Sequence, residues 1–174
     1  MSLIPQFIRS RRNWSGERKV ALLVGALLVI GLFTHSYGYS SRTMLVLRGI
    51  AGEGAPRGQL DDNAARLYAL RSGYGPRVLD VAGGTGEQMQ MTLALVKNDP
   101  NVTALYGFSG GAYTLVNVWS QLSAAEKTRI QKVVIVGAPG VNALSFPGAW
   151  SVVVQEDPPE GHMNAPWALL RSMK

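Results

Sequence analysis

The chain reads as an α/β protein: a doubly wound, mainly parallel sheet of about five strands with helices on both faces, preceded by one N-terminal hydrophobic helix. Three observations predict this. From Thr43 onward, short β-rich apolar runs alternate with longer helical stretches, the signature of successive strand-helix units. The runs are near-continuous Val, Ile and Leu, as expected when helices bury both faces of a parallel sheet. At 174 residues, the chain suffices for one domain with a real core and is too short for two ordinary ones.

The expected strands are Met44–Arg48 (MLVLR), Arg77–Val81 (RVLDV), Val102–Phe108 (VTALYGF), Lys132–Val136 (KVVIV) and Trp150–Gln155 (WSVVVQ). Helices are expected between the first four, at about Asp61–Arg71, Glu87–Lys97 and Gly110–Leu122, the last extended through Ala124–Ile130 if it continues. The Gly-rich connection Gly49–Gly58 is the only long flexible loop before the sheet is under way. Ligands of such sheets gather beyond the carboxyl ends of the strands.

Ahead of this domain, assigned to residues 43–174, lies a segment of different character. Val20–Phe33 is fourteen residues without a charge, and the apolar character extends to Tyr39 with interruptions at His35 and Ser36. The run is apolar on every face, unlike a surface-packed helix. A basic stretch, residues 1–19, precedes it, so residues 20–39 read as a signal peptide or a transmembrane anchor. Residues 34–42 contain no cleavage site of the Ala-x-Ala kind, which favours the anchor. Ser10-Arg11-Arg12-Asn13-Trp14 also resembles the start of a twin-arginine signal, from which Ser15 and Glu17 depart. The basic flank is expected to stay in the cytoplasm, with the globular part on the other side, periplasmic in a Gram-negative bacterium.

Composition narrows the chemistry. Of the net charge of +6, the residues before Thr34 carry +4 (Arg9, Arg11, Arg12, Arg18 and Lys19 against Glu17). The remaining +2 forms no basic stripe, which argues against nucleic-acid binding. There are no cysteines, which excludes disulfides, thiolate zinc sites and a cysteine nucleophile. No metal and no organic cofactor is expected.

The third strand ends in Gly107-Phe108-Ser109-Gly110-Gly111, and a helix follows at once. This is the G-x-S-x-G turn in a strand-turn-helix context. Glycines flank the serine because the turn is too tight for side chains there. Ser109 is the candidate nucleophile, and the N–H of Gly110, at the helix start, is the candidate oxyanion donor. A serine hydroxyl needs a base, and the globular part has one histidine, His162. It lies behind Ser109 in the chain, after the last strand, where the order Ser, acid, His would place it. For the acid, Glu156 and Asp157 both follow the last strand, and Asp157 is preferred for its position at the start of the turn. Glu156, Asp61, Asp62 or a dyad without an acid remain open.

With these residues in hand, the part from about 43 to 174 resembles the α/β-hydrolase superfamily of lipases, esterases and thioesterases. Met44–Gly52 resembles the family's oxyanion strand and loop, which implies a second backbone donor at Ile50, with Gly49 beside it. The family commonly has histidine-glycine there, and Arg48-Gly49 departs from that. Val78–Gly86 resembles the family's Asp-x-x-Gly-x-Gly turn, which is structural. The resemblance implies cleavage of a small-molecule or lipid acyl ester or thioester, without the usual inserted lid. Tyr113, Phe146, Trp150 and Trp167 are candidates for an acyl pocket, or for the core.

Two rival readings have different chemistry. Leu79–Gly86 (LDVAGGTG) equally resembles the first motif of S-adenosylmethionine-dependent methyltransferases. Such an enzyme would normally place an acid at the end of the following strand, where this chain has Tyr106-Gly107-Phe108-Ser109. The other rival is a membrane-tethered binding protein that kept the hydrolase fold without activity, since fold does not establish function.

Overall fold

The computed structural model describes residues 42–50 and 59–173. The flank 1–19, the segment 20–39 read as signal or anchor, residues 51–58 of the expected Gly-rich connection and the side chain of Asp61 lie outside the described residues. Among the described residues, no helix is long and apolar enough to cross a membrane.

Five strands form one all-parallel sheet: β1 (Thr43–Leu47), β2 (Gly75–Leu79), β3 (Val102–Phe108), β4 (Lys132–Val136) and β5 (Val152–Gln155). Their order is β2-β1-β3-β4-β5. The chain therefore builds outward from β1 to β2, returns to the other side of β1 with β3, and continues to β4 and β5. That reversal makes the gap between β1 and β3 the topological switch point, where loops leaving the two strands part and open a crevice. Leu47 pairs with Gly107, so Arg48-Gly49-Ile50 and Phe108-Ser109-Gly110 leave the sheet side by side.

The helices are α1 (Gln59–Arg71), α2 (Gly86–Asn98), α3 (Gly110–Gln121), α4 (Ala124–Arg129) and α5 (Ala165–Ser172). Alternate strand residues point to opposite faces, and the core divides accordingly. Leu45, Leu47, Leu105, Val133 and Ile135 pack with Leu93 and Val96 of α2 and Leu115, Val118 and Trp119 of α3. On the other face, Met44, Val46, Tyr106, Val134 and Val136 pack with Ala65, Tyr68 and Ala69 of α1 and Ala165, Leu169 and Leu170 of α5. Helices on both faces of a parallel sheet are what the continuous apolar strands predict.

Several boundaries differ from the sequence reading, each for a local reason. β2 runs two residues earlier than expected: Gly75 N–H donates to Arg42 O at 2.9 Å and starts the pairing with β1. Its Pro76 is tolerated on an edge strand. The expected extension of the third helix is a separate one. Leu122 is extended, and Ser123 and Glu126 form a capping box that starts α4 afresh. Helix α5 was not anticipated. It is eight residues long and begins with Pro near its N-terminus, and its buried stripe of Ala165, Pro166, Leu169 and Leu170 covers the sheet beside α1.

Candidate active site

Ser109 sits where β3 gives way to α3, with φ 50° and ψ −120°. Among the described residues it is the one non-glycine with positive φ. Such a conformation costs about 1–3 kcal/mol and persists only where the surroundings impose it. Here they do. Ser109 N–H donates to Val136 O of β4 at 2.8 Å, and Ser109 O accepts from Ala112 N–H at 2.9 Å. The flanking glycines are required by backbone, not by flexible side chains. A Cβ on Gly107 would lie 2.7 Å from Ala112 Cα, and one on Gly111 would lie 2.5 Å from Leu47 O.

His162 begins a 3₁₀ turn, His162–Asn164, that follows Gly161 (φ 103°). Its ring stacks on Phe108, the residue before Ser109, with centroids 4.9 Å apart and planes 24° apart. Nδ1 lies 2.8 Å from Asp157 Oδ1. A carboxylate oxygen only accepts, so this contact assigns the proton to Nδ1 and leaves Nε2 as the basic nitrogen. Both side chains are partly open to solvent, at 39% for His162 and 37% for Asp157.

Gly137, which the sequence reading passed over, is where this pair meets the sheet. It follows Val136, the residue that accepts from Ser109, and it has φ 57°. A Cβ there would lie 2.8 Å from both Asp157 Oδ1 and His162 Cε1. The imidazole and carboxylate thus rest directly on the backbone of Gly137. The available signal was a glycine immediately after the continuous apolar run Val133–Val136. No hydrogen bond joins the Ser109 hydroxyl to His162 among the described residues. Such bonds are often long in unliganded sites and tighten with substrate.

The other acid candidates lie elsewhere. Glu156 is exposed and is not bonded to His162. Asp62 is committed to Arg48, whose Nε lies 2.9 Å from each of its carboxylate oxygens. Arg48 also reaches Asp80. The hydrogen bond to Asp62 is the main cause that pushes the Arg48 pKa above its ordinary value.

The three oxyanion candidates come together beside the serine. A Cβ on Gly49 would be 3.1 Å from Ser109 Cβ, and one on Gly110 would be 2.5 Å from Ile50 Cγ1. The N–H groups of Ile50 and Gly110 make no hydrogen bond to other described residues. The glycine turn after β2 packs against this same loop: Gly83 N–H donates to Gly49 O at 3.0 Å, and a Cβ on Gly83 would lie 2.2 Å from Arg48 O. Protein backbone therefore fills the close side of the turn that resembles a methyltransferase motif.

The aromatic residues divide. Phe146 is core, packed edge-on against Trp119, and Trp167 packs against the α1–α5 layer. Trp150 is exposed. Tyr113 donates its hydroxyl hydrogen to Pro139 O at 2.8 Å. Pro139 belongs to a cavity of about 360 Å³ beside Asp157, lined by Ala138, Gly140, Val141 and Val154 among others. The segment 138–141 after β4 and the segment 154–157 at the end of β5 form this hollow, with Gln155, Glu156 and Asp157 as its polar side. Among the described residues, no cluster of His, Asp and Glu could hold a metal ion.

No protein-family model and no curated protein matches the chain. Among solved structures, it is similar to Trichoderma reesei cutinase in complex with a phosphonate inhibitor. The identity is 22% over 75% of this chain and 71% of that one, with a TM-score of 0.46. The parallel sheet and the turn at Ser109 are consistent with the α/β-hydrolase resemblance of the sequence.

Proposed function

We propose that the chain is a serine hydrolase that cleaves a carboxylic ester or thioester through an acyl-enzyme on Ser109. The observation that carries this reading is the strained backbone of Ser109 at the switch-point crevice, next to a His162–Asp157 pair seated on Gly137. A strained serine has no structural benefit, whereas a nucleophile must project from its turn into the crevice.

In this reading, His162 Nε2 takes the hydroxyl proton as Ser109 Oγ attacks the carbonyl carbon. The carbonyl oxygen becomes an oxyanion held by the N–H groups of Gly110 and Ile50. Asp157 keeps the proton on Nδ1 and stabilises the imidazolium. The tetrahedral intermediate then expels the alkoxide or thiolate, which leaves with the proton from Nε2. Water, activated by the same histidine, hydrolyses the acyl-serine and restores both residues.

The test is ester turnover by the full chain. With p-nitrophenyl butyrate, a burst of nitrophenol equal to the enzyme concentration followed by steady release is expected wherever deacylation is the slower step. A folded protein that releases no nitrophenol above buffer would contradict the proposal and favour a binding protein on a hydrolase fold.

We also propose that residues 20–39 anchor the domain at a membrane, with residues 43–174 outside the cytoplasm. The support is the basic flank that precedes the apolar run. Alkaline phosphatase fused after Lys174 should be active and a cytoplasmic fluorescent reporter at the same point dark. The reverse pattern would place the domain in the cytoplasm.

A further inference from the structure

We propose that Arg48 is a positioning residue, which sets the Gly49–Ile50 peptide beside the nucleophile by being held from both its side chain and its carbonyl. The inference rests on the serine-hydrolase reading.

Strand β1 ends at Leu47, so no sheet ladder holds the chain from Arg48 onward. Other groups do so instead. The guanidinium spans two acids from different elements: Asp62, in α1, and Asp80, just after β2. Asp62 is 7% exposed, whereas the Asp80 side chain is 75% exposed. Arg48 O accepts from Gln88 Nε2 at 3.1 Å, and the same nitrogen donates to Val81 O at 3.3 Å. Gln88 is fully buried, so its amide pins the exit of β1 to the exit of β2.

The next peptide is oriented by the same frame. Gly83 N–H holds Gly49 O at 3.0 Å. The described peptides are all trans, so the Ile50 N–H points the opposite way, off the β2 side. Gly49 itself lies against Ser109, with 3.1 Å from its would-be Cβ to Ser109 Cβ. Arg48 is therefore two residues from a donor whose use depends on placement within a few tenths of an ångström. A lysine could keep the charge but not the fork that engages both oxygens of Asp62 and Asp80 together.

The experiment compares the full-length chain with Arg48→Lys, using p-nitrophenyl butyrate and a trifluoromethyl ketone that forms a tetrahedral oxyanion on the serine. Active sites are counted by burst amplitude, so that loss of folded enzyme does not count as loss of kcat. Complete removal of an oxyanion donor costs about 10²–10³ in kcat. A displaced donor should cost about tenfold, with KM within about twofold and the ketone Ki raised by the same factor as kcat falls. A purely structural arginine would lower the number of active sites while leaving kcat per site and Ki unchanged, and that result overturns the proposal. If Arg48→Lys does not fold, Asp80→Asn takes its place, because Asp80 is exposed and leaves the Asp62 fork intact. It should show the same parallel shift of kcat and Ki at about threefold. A wild-type chain with neither burst nor ketone inhibition would overturn the hydrolase reading and this inference together. A wild-type burst with unshifted variants overturns this inference alone.

Discussion

Ser109→Ala is expected to reduce ester turnover to near the background rate. In a serine hydrolase the nucleophile and base act as one unit, and removal of either costs about 10⁶ in kcat. Stability should barely change. The Ser109 hydroxyl is bonded to no described residue, and alanine adopts the strained φ no more easily than serine. A difference within about 1 kcal/mol is therefore expected from chemical denaturation. Ser109→Gly sharpens the point, because glycine relieves the positive φ of 50°. That variant should be equally inactive and at least as stable as Ser109→Ala. If Ser109→Gly were the less stable of the two, the backbone there would not be strained, and the main structural support for a nucleophile at this turn would be lost.

Asp157→Asn is expected to lower kcat by about 10²–10³ with KM little changed. A fully buried acid in a worked serine-protease site is worth about 10⁴, but Asp157 is 37% exposed, so water can replace part of its stabilisation of the imidazolium. The interaction is realised mainly in the transition state, which puts the effect on kcat. Glu156→Gln should change kcat less than about tenfold, since adjacent residues at a strand end point to opposite sides. Steady-state kinetics on both variants separates the cases. Damage from Glu156→Gln alone would make Glu156 the acid, and wild-type behaviour in both would reduce the site to a Ser-His dyad.

Most of this architecture was legible in the sequence because the physics behind it is local. Val102–Phe108 and Lys132–Val136 are continuous apolar runs bounded by turn residues, and both strands fall as expected. Ser109 was visible because the tightness of its turn leaves a glycine pattern. Asp157 was preferred as partner of His162 for its position at the start of the turn, with Glu156, Asp61, Asp62 or no acid left open, and the two side chains lie 2.8 Å apart. What was hidden depends on contacts distant in sequence. Gly137 gains its role from two side chains twenty and more residues ahead, and Gln88 from a carbonyl forty residues behind. Helix α5 escaped because its single buried stripe is short and follows a proline-rich loop. Phe146 and Trp167 were compatible with a pocket and, more readily, with the core, and packing against Trp119 and the α1–α5 layer places Phe146 in the core and Trp167 against it.

The most direct test of the central claim is the site of covalent modification by a fluorophosphonate, read by mass spectrometry of the intact chain and its tryptic peptides. Attack on phosphorus needs the same nucleophile, base and oxyanion donors as ester cleavage. One adduct per chain is predicted, on the peptide Asn98–Lys127, with fragmentation placing it at Ser109 and with labelling lost in His162→Gln. A well-folded chain that takes no label, or takes it at a residue other than Ser109, would contradict the account.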